Sequence, residues 1–155
     1  MRVRPRIRQD IGRIADLRLR LLDHLGATGP EQGLRLLRRS GCSFLERQPW
    51  PGRHFGVVAE GRTGVVGMGS LETLERLPHP RNLSGKEGYA LNVYVEPEAR
   101  GWGAAMDIVR ELVGITGREG VGRLWLHATS GWHGIYEAAG FESRSFEEMQ
   151  LVLPG

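Results

Sequence analysis

The sequence predicts a single α/β domain, residues 1–155, built on a mixed sheet of six to seven strands with about four helices. Three observations predict it. Short runs rich in β-branched and aromatic residues alternate with segments whose apolar residues recur at helical spacing. At Val93–Ala105 a strand, a pair of glycines and a helix start follow one another without a break. A second strand–loop–helix unit runs from Leu124 to Phe141. A chain of 155 residues is long enough for one sizeable core.

Val3–Arg8 alternates Val, Pro and Ile with Arg, as a strand with one polar face does. Asp10 is a good N-cap, and Ile11, Ile14, Ala15, Leu21, Leu22 and Leu25 mark a helix that Gly26 ends. Ala27–Pro30 is turn chemistry, and Glu31–Arg39, with Leu34, Leu36 and Leu37, is a second short helix. Gly41–Arg53, with Pro49 and Pro51 around Trp50, reads as an irregular connection. Phe55–Glu60 and Val65–Leu74 form a hairpin about Gly61-Arg62-Thr63-Gly64. Glu75–Lys86 holds Pro78, Pro80, Asn82 and Gly85 and reads as an exposed loop. Gly88–Val95 is the next strand, stopped by Pro97, which has no backbone donor. The helix from Ala104 to about Glu119 ends at Gly120 and Gly122. Leu124–His127 is a short buried strand, Ala128–His133 a loop and Gly134–Ala139 a short helix. Phe141 starts another strand, and Met149–Leu153 is the last, paired antiparallel with its neighbour. The one parallel crossover, through the central helix, is right-handed by rule.

Composition narrows the function classes. The formal charge is only +3, and 20 of the 21 basic residues are Arg, Lys86 being the exception. That skew reads as a genomic bias. Ten Arg in the first 39 residues keep nucleic-acid binding as a minor alternative. Cys42 stands alone, which excludes an intrachain disulfide and a Cys-based zinc site. The five His show no metal-ligand spacing, and Ser43 and Ser70 lie in no nucleophile elbow. With no apolar leader and no membrane-length apolar run, the expected location is cytoplasmic.

The Val93–Ala105 junction aims free N–H groups and the positive end of a helix dipole at one spot, which suits a diphosphate. No Lys follows the glycines, so it is not a Walker A loop, and Met106 stands where a dinucleotide fingerprint has its third Gly. What fits is Arg100-x-x-Gly103-x-Ala105, which resembles the pyrophosphate loop (Arg/Gln-x-x-Gly-x-Gly/Ala) of the GNAT superfamily of acyl-CoA-dependent N-acetyltransferases. Tyr136-Glu137-Ala138-Ala139-Gly140-Phe141 resembles the Tyr-Glu-x-x-Gly-Phe ending common in that family. The element order matches over nearly the whole chain, most strongly from Asn92 to Phe141 and least before Phe55.

The resemblance implies the GNAT fold, with splayed strands at the acyl-CoA site, and acetyl-CoA as co-substrate without a metal. It implies that the backbone of Val93, Tyr94 and Val95 pairs with the pantetheine amides as a false extra strand. Arg100, Gly101, Trp102, Gly103, Ala104 and Ala105 stand where the diphosphate is held. Tyr136 stands beside the sulfur, as general acid for the leaving thiolate, and an N–H near Val95 serves the oxyanion. Thr129 occupies the place, seven before the Tyr, where many members have a CoA-contacting Asn. Trp102 stands where relatives more often carry a polar or basic side chain; packing is the favoured reading, with shielding the loop, contact with the adenine end or plain exposure as alternatives. Trp132, His133 and Gly134 form an unusual loop beside the thiol. For a base, the candidates are Glu87, taken as the catalytic one, Glu72 and His79; a solvated strand-end charge is the alternative for Glu87. His127 reads as a hydrogen-bonded core His. Asn92 either faces the acetyl or acceptor pocket or pairs with a loop backbone. The activity implied is acetyl transfer to a primary amine, with a small molecule as the expected acceptor. The alternatives are a protein N-terminus or Lys as acceptor, or a non-catalytic acyl-CoA sensor. A homodimer through Met149–Leu153 is a further expectation.

Overall fold

The described residues form five strands and four α-helices: β1 (Arg2–Pro5), α1 (Ile11–His24), α2 (Glu31–Glu46), β2 (His54–Gly61), β3 (Gly64–Glu75), β4 (Lys86–Val95), α3 (Ala104–Arg118), β5 (Arg123–Trp125) and α4 (His133–Ala138). They belong to a computed structural model that describes residues 1–50 and 52–155; Pro51, part of the connection read as irregular, lies outside them. The sheet order is β1-β2-β3-β4-β5. The first three pairings are antiparallel and β4–β5 is parallel, so the one crossover runs through α3 as predicted.

Each face of the sheet buries one helix stripe. Ala104, Ile108, Val109, Leu112 and Ile115 put one side of α3 against Val57, Leu71, Ala90, Val93 and Val95. Full burial of such side chains stabilises by roughly 1.5–3 kcal/mol each. Gly69 lets α3 come close, since a Cβ there would collide with the Ile108 and Leu112 side chains. On the other face Ile11, Ile14 and Leu17 of α1 meet Val58, Met68 and Tyr94.

β4 carries a bulge that the sequence reading did not foresee. Ser70 pairs with Leu91 but Met68 pairs with Tyr94, so Asn92 and Val93 together oppose Gly69. Among the described residues Asn92 is the non-glycine residue with positive φ, 54°, a region Asn tolerates better than most. The extra residue reverses the alternation. Ala90 before it faces α3, and so do Val93 and Val95 after it, while Tyr94 turns to α1.

The sequence expectations need four corrections. α2 does not stop at Arg39 but runs through Gly41 to Glu46. Gly41, Cys42 and Leu45 continue the Leu34–Leu37 stripe, and burying Leu45 offsets the ~1 kcal/mol that a helical glycine costs. Asp10 sits at the N-cap position of α1 but makes no side-chain cap. Its carboxylate instead accepts hydrogen bonds from Arg4 at 2.7 and 3.1 Å and from the Ile7 N–H at 2.8 Å. The β5 strand ends at Trp125, short of His127. The strands expected at Phe141 and Met149–Leu153 are absent, so the sheet has five strands rather than six or seven. The free edge of β5 is three residues long, and Glu142–Ser145 offers no apolar alternation that pairing would bury. Phe141 packs edge-on against Tyr136, and Phe146, Met149, Leu151, Val152 and Leu153 are exposed.

Half of the ten N-terminal arginines are tied into the fold. Arg4 bridges Asp10 and Glu60, Arg13 and Arg20 both pair with Glu96, and Arg38 pairs with Asp16. Arg6 donates to the carbonyls of Leu45 and Gln48.

His54, on β2, is buried with Nδ1 unpartnered and stands edge-on to Phe44. Burial, reinforced by Arg6, lowers its pKa from 6.5 to about 4. The unfolded chain therefore takes up a proton near pH 6.5 that the folded chain refuses until about pH 4. This contribution leaves stability intact above that window and removes up to ~3 kcal/mol as pH falls through it. Urea melts across the window should show that loss, and His54→Phe should flatten it. An equally steep loss in the variant would locate the acid sensitivity elsewhere.

Candidate functional site

β4 ends in a 3-10 turn, Pro97–Ala99, which carries the chain toward α3. Arg100 follows, and its Nε donates to the Val95 carbonyl at 3.0 Å while the guanidinium covers the Tyr94 ring. Gly101 and Gly103 both have φ 82°, so the backbone turns in a conformation that suits glycine. Gly103 is the N-cap of α3, and no side chain caps that helix. A Cβ on either glycine would meet nothing within 4 Å. The first N–H groups of α3, from Ala104 and Ala105, thus open onto a clear cradle at the positive end of the helix dipole. Asp107, also in the first turn, has Arg110 3.7 Å away.

Beside the cradle, β4 lacks a partner on one edge. β5 pairs only with Glu87, Gly88 and Tyr89, and from Ala90 onward the two strands part. The Glu96 N–H bonds to the Val66 carbonyl on β3, so by alternation the Tyr94 N–H turns toward β3 and those of Val93 and Val95 toward the open edge. Tyr136 reaches the same region from α4 and is buried in one cluster with Val93, Val95 and Ala104. Burial, with a smaller push from Tyr89, raises its pKa from 10.0 to about 12.

Glu87 and His79, singled out in the sequence, lie apart from this centre, while Trp102 stands between the two cradle glycines. Glu87 is buried at the joined end of β4 and β5. It accepts a hydrogen bond from Arg123 at 3.3 Å, and Arg76 Nε stands 3.0 Å from Oε2 without a directed hydrogen bond. It is neither a solvated charge nor a carboxylate on the open edge. His79 sits in the loop before β4, where its Nδ1 accepts the Arg81 N–H at 3.2 Å. Trp102 does not pack as expected; it is 77% exposed. Thr129 is exposed, and its carbonyl accepts the Trp132 N–H. Trp132 packs partly on the core, while exposed His133 contacts Glu137 at 3.1 Å and Gly134 lies in the first turn of α4.

The structure adds an aromatic wall that the sequence reading missed. Tyr89 stacks on Trp125 with ring centroids 4.4 Å apart, and both lie edge-on to His127. His127 is therefore not a core residue; half of its side chain is exposed. No local signal marked this wall, since Tyr89 and Trp125 meet only through the pairing of β4 with β5. Among the described residues, no group of three or more His, Cys, Asp or Glu gathers to hold a metal ion, and no helix is long and apolar enough to cross a membrane.

Residues 20–141 match the model of the acetyltransferase (GNAT) family. No curated protein sequence matches the chain. Solved structures do. A predicted acetyltransferase from Clostridium acetobutylicum, solved with acetyl-CoA, is 21% identical over 97% of this chain and 95% of its own, with a TM-score of 0.82. A GCN5-related N-acetyltransferase from Ralstonia eutropha is 22% identical over 97% of each chain, with a TM-score of 0.81. Glucosamine-6-phosphate N-acetyltransferase from Arabidopsis thaliana is 21% identical over 97% of each, with a TM-score of 0.73. At such identities the likeness establishes a shared fold.

Proposed function

This chain belongs to the GNAT acetyltransferase family, and from that premise we propose that it moves an acetyl group from acetyl-CoA to the primary amine of a small molecule. One observation carries the reading. The open edge of β4, the uncapped glycine cradle of α3 and buried Tyr136 adjoin one another through a single packed cluster. The residues present fit the co-substrate. Val93 and Val95 offer the open edge to the pantetheine amides, and Gly101, Gly103, Ala104 and Ala105 offer open space and free N–H groups to the diphosphate. Trp102, exposed, and Thr129, at the mouth of the loop before α4, flank that path.

Acetyl transfer needs a neutral amine, a polarised carbonyl and a thiolate that can leave. As the nitrogen attacks, a C–N bond forms and the carbonyl π pair moves onto oxygen, where a Val93 or Val95 N–H receives the charge. Collapse breaks the C–S bond, and the Tyr136 hydroxyl donates to the departing sulfur. With its pKa at about 12, Tyr136 keeps its proton throughout the neutral range. A free thiol ionises near ~8.5, so handing the proton to sulfur alone runs uphill. The step becomes favourable when the nitrogen, cationic after attack, returns a proton to the Tyr136 oxygen as the sulfur leaves. Glu87, held by Arg76 and Arg123, keeps the joined ends of β4 and β5 together and so fixes where they part.

A panel of primary amines with acetyl-CoA, followed by thiol release, tests the reading. Turnover of small amines above that of peptide N-termini and lysyl peptides is the expected result. Coenzyme A binding without turnover of any amine would make the chain a sensor.

A further inference from the structure

Tyr89, His127 and Glu148 form a continuous line of polar contacts beside the open edge, a hydrogen bond at one end and an ion-pair contact at the other. Tyr89 Oη lies 2.9 Å from His127 Nδ1, and His127 Nε2 lies 3.0 Å from Glu148 Oε2. The three come from separate parts of the chain: the middle of β4, two residues beyond β5, and the segment after α4 that forms no strand. A carboxylate oxygen 3.0 Å from Nε2 would repel a lone pair there, so a neutral imidazole carries its hydrogen on Nε2. Nδ1 is then the acceptor, and the Tyr89 hydroxyl is its donor. That leaves the lone pairs of the Tyr89 oxygen free, on the last residue paired before β4 and β5 part. Resting on the acetyl-transfer reading above, we propose that this line deprotonates the acceptor, with Tyr89 as the catalytic residue, His127 as the proton sink and Glu148 as the positioning residue.

An amine reaches the site as an ammonium ion. One N–H proton passes to the Tyr89 oxygen while the Tyr89 proton passes to His127 Nδ1. The products are a neutral amine and an imidazolium whose charge Glu148 balances, and the imidazolium later returns its extra proton to water. No electron pair leaves the nitrogen, which keeps it for attack. The groups around the line agree with that role. Glu72 stands directly across from Tyr89 on β3, Glu148 closes the far end, and Tyr136 approaches from α4. Arg123 lies over the far member of the aromatic wall, 5.9 Å from the Trp125 ring centroid. Two carboxylates and the faces of Tyr89 and Trp125 favour a cationic amine over one bearing its own carboxylate. Burial, then Glu148 and Glu72, raise the pKa of Tyr89, so it is a relay and not a standing phenolate.

The test uses the full chain with two primary amines that differ in protonation state at neutral pH. Phenethylamine is protonated near neutral pH, whereas trifluoroethylamine is largely neutral there. Tyr89→Phe and His127→Gln are expected to lose ~10²-fold in kcat/KM with phenethylamine and less than about fivefold with trifluoroethylamine. Coenzyme A affinity should stay within about threefold of the parent. The acid limb of the phenethylamine profile should vanish in His127→Gln. In Glu148→Gln, which keeps an acceptor but removes the charge, the limb should move to lower pH. Nitrogen NMR of the His127 ring should show the Nε2–H form in the parent. Equal losses with both amines, or an acid limb unmoved in every variant, would overturn the relay while leaving acetyl transfer standing. A parent that turns over neither amine nor any other would instead remove the acetyl-transfer reading and the relay with it.

Discussion

Gly103→Asp should bind coenzyme A ~10²–10³-fold more weakly than the parent and remain folded. The residue is the N-cap of α3 at φ 82°, with clear space around it. A non-glycine residue at positive φ costs roughly 1–2 kcal/mol, and Asp tolerates that region better than most. Its carboxylate would then lie against the same α3 N–H groups that the diphosphate needs and would add a like charge beside it. Like charges ~4 Å apart at a partly shielded site repel by about 4 kcal/mol, which sets the upper end of the range. Gly103→Ala adds the strain without the charge and should lose much less affinity. Calorimetric titration with coenzyme A, alongside urea melts of each variant, separates binding from folding. A folded Asp variant with parental affinity would place the diphosphate elsewhere.

Tyr136→Phe should keep coenzyme A affinity close to that of the parent and lose ~10²-fold or more in kcat. The ring is 9% exposed and edge-on to Phe141, and Phe preserves both the volume and that contact. What it deletes is a hydroxyl whose pKa burial has raised to about 12. Because that hydroxyl ionises only in strong alkali, any alkaline fall in rate below ~pH 10 belongs to another group. If Tyr136 served only to fill the core, the variant would change stability and leave chemistry nearly untouched. Single-turnover acetyl transfer by the Phe variant decides between these; a rate within about threefold of the parent would retire Tyr136 as the donor.

What the sequence revealed of this molecule was what local chemistry encodes. The Val93–Ala105 junction was legible because Pro97, Gly101, Gly103 and the apolar stripe of α3 each act within a few residues of themselves. The hairpin and the crossover were legible for the same reason. Features that depend on distant partners were not. Gly41 reads as a stop, yet contact with α1 carries α2 past it. Met149, Leu151 and Leu153 alternate as a strand does, but a strand also needs an edge to pair with, and β5 offers one of only three residues. Glu87 has the residue type of a base, while the arginines that bind it come from positions 76 and 123. His127 reads as a core residue until the end of β5 at Trp125 releases it to meet Tyr89 and Glu148.

The bulge at Asn92 puts a parity rule on this stretch of chain. Between Ala90 and Pro97 every side chain is assigned to one face of the sheet, and every N–H to one edge, by counting in twos from a single odd residue. Deleting Asn92 alone would remove the extra residue and restore a plain pleat, with Val93 opposite Gly69, Val93 and Val95 still toward α3 and Tyr94 still toward α1. Deleting Asn92 and Val93 together would instead turn Tyr94 toward α3 and Val95 toward α1. The strand therefore tolerates the loss of its one extra residue but not of two, and a homologous chain that is shorter here should be shorter by one.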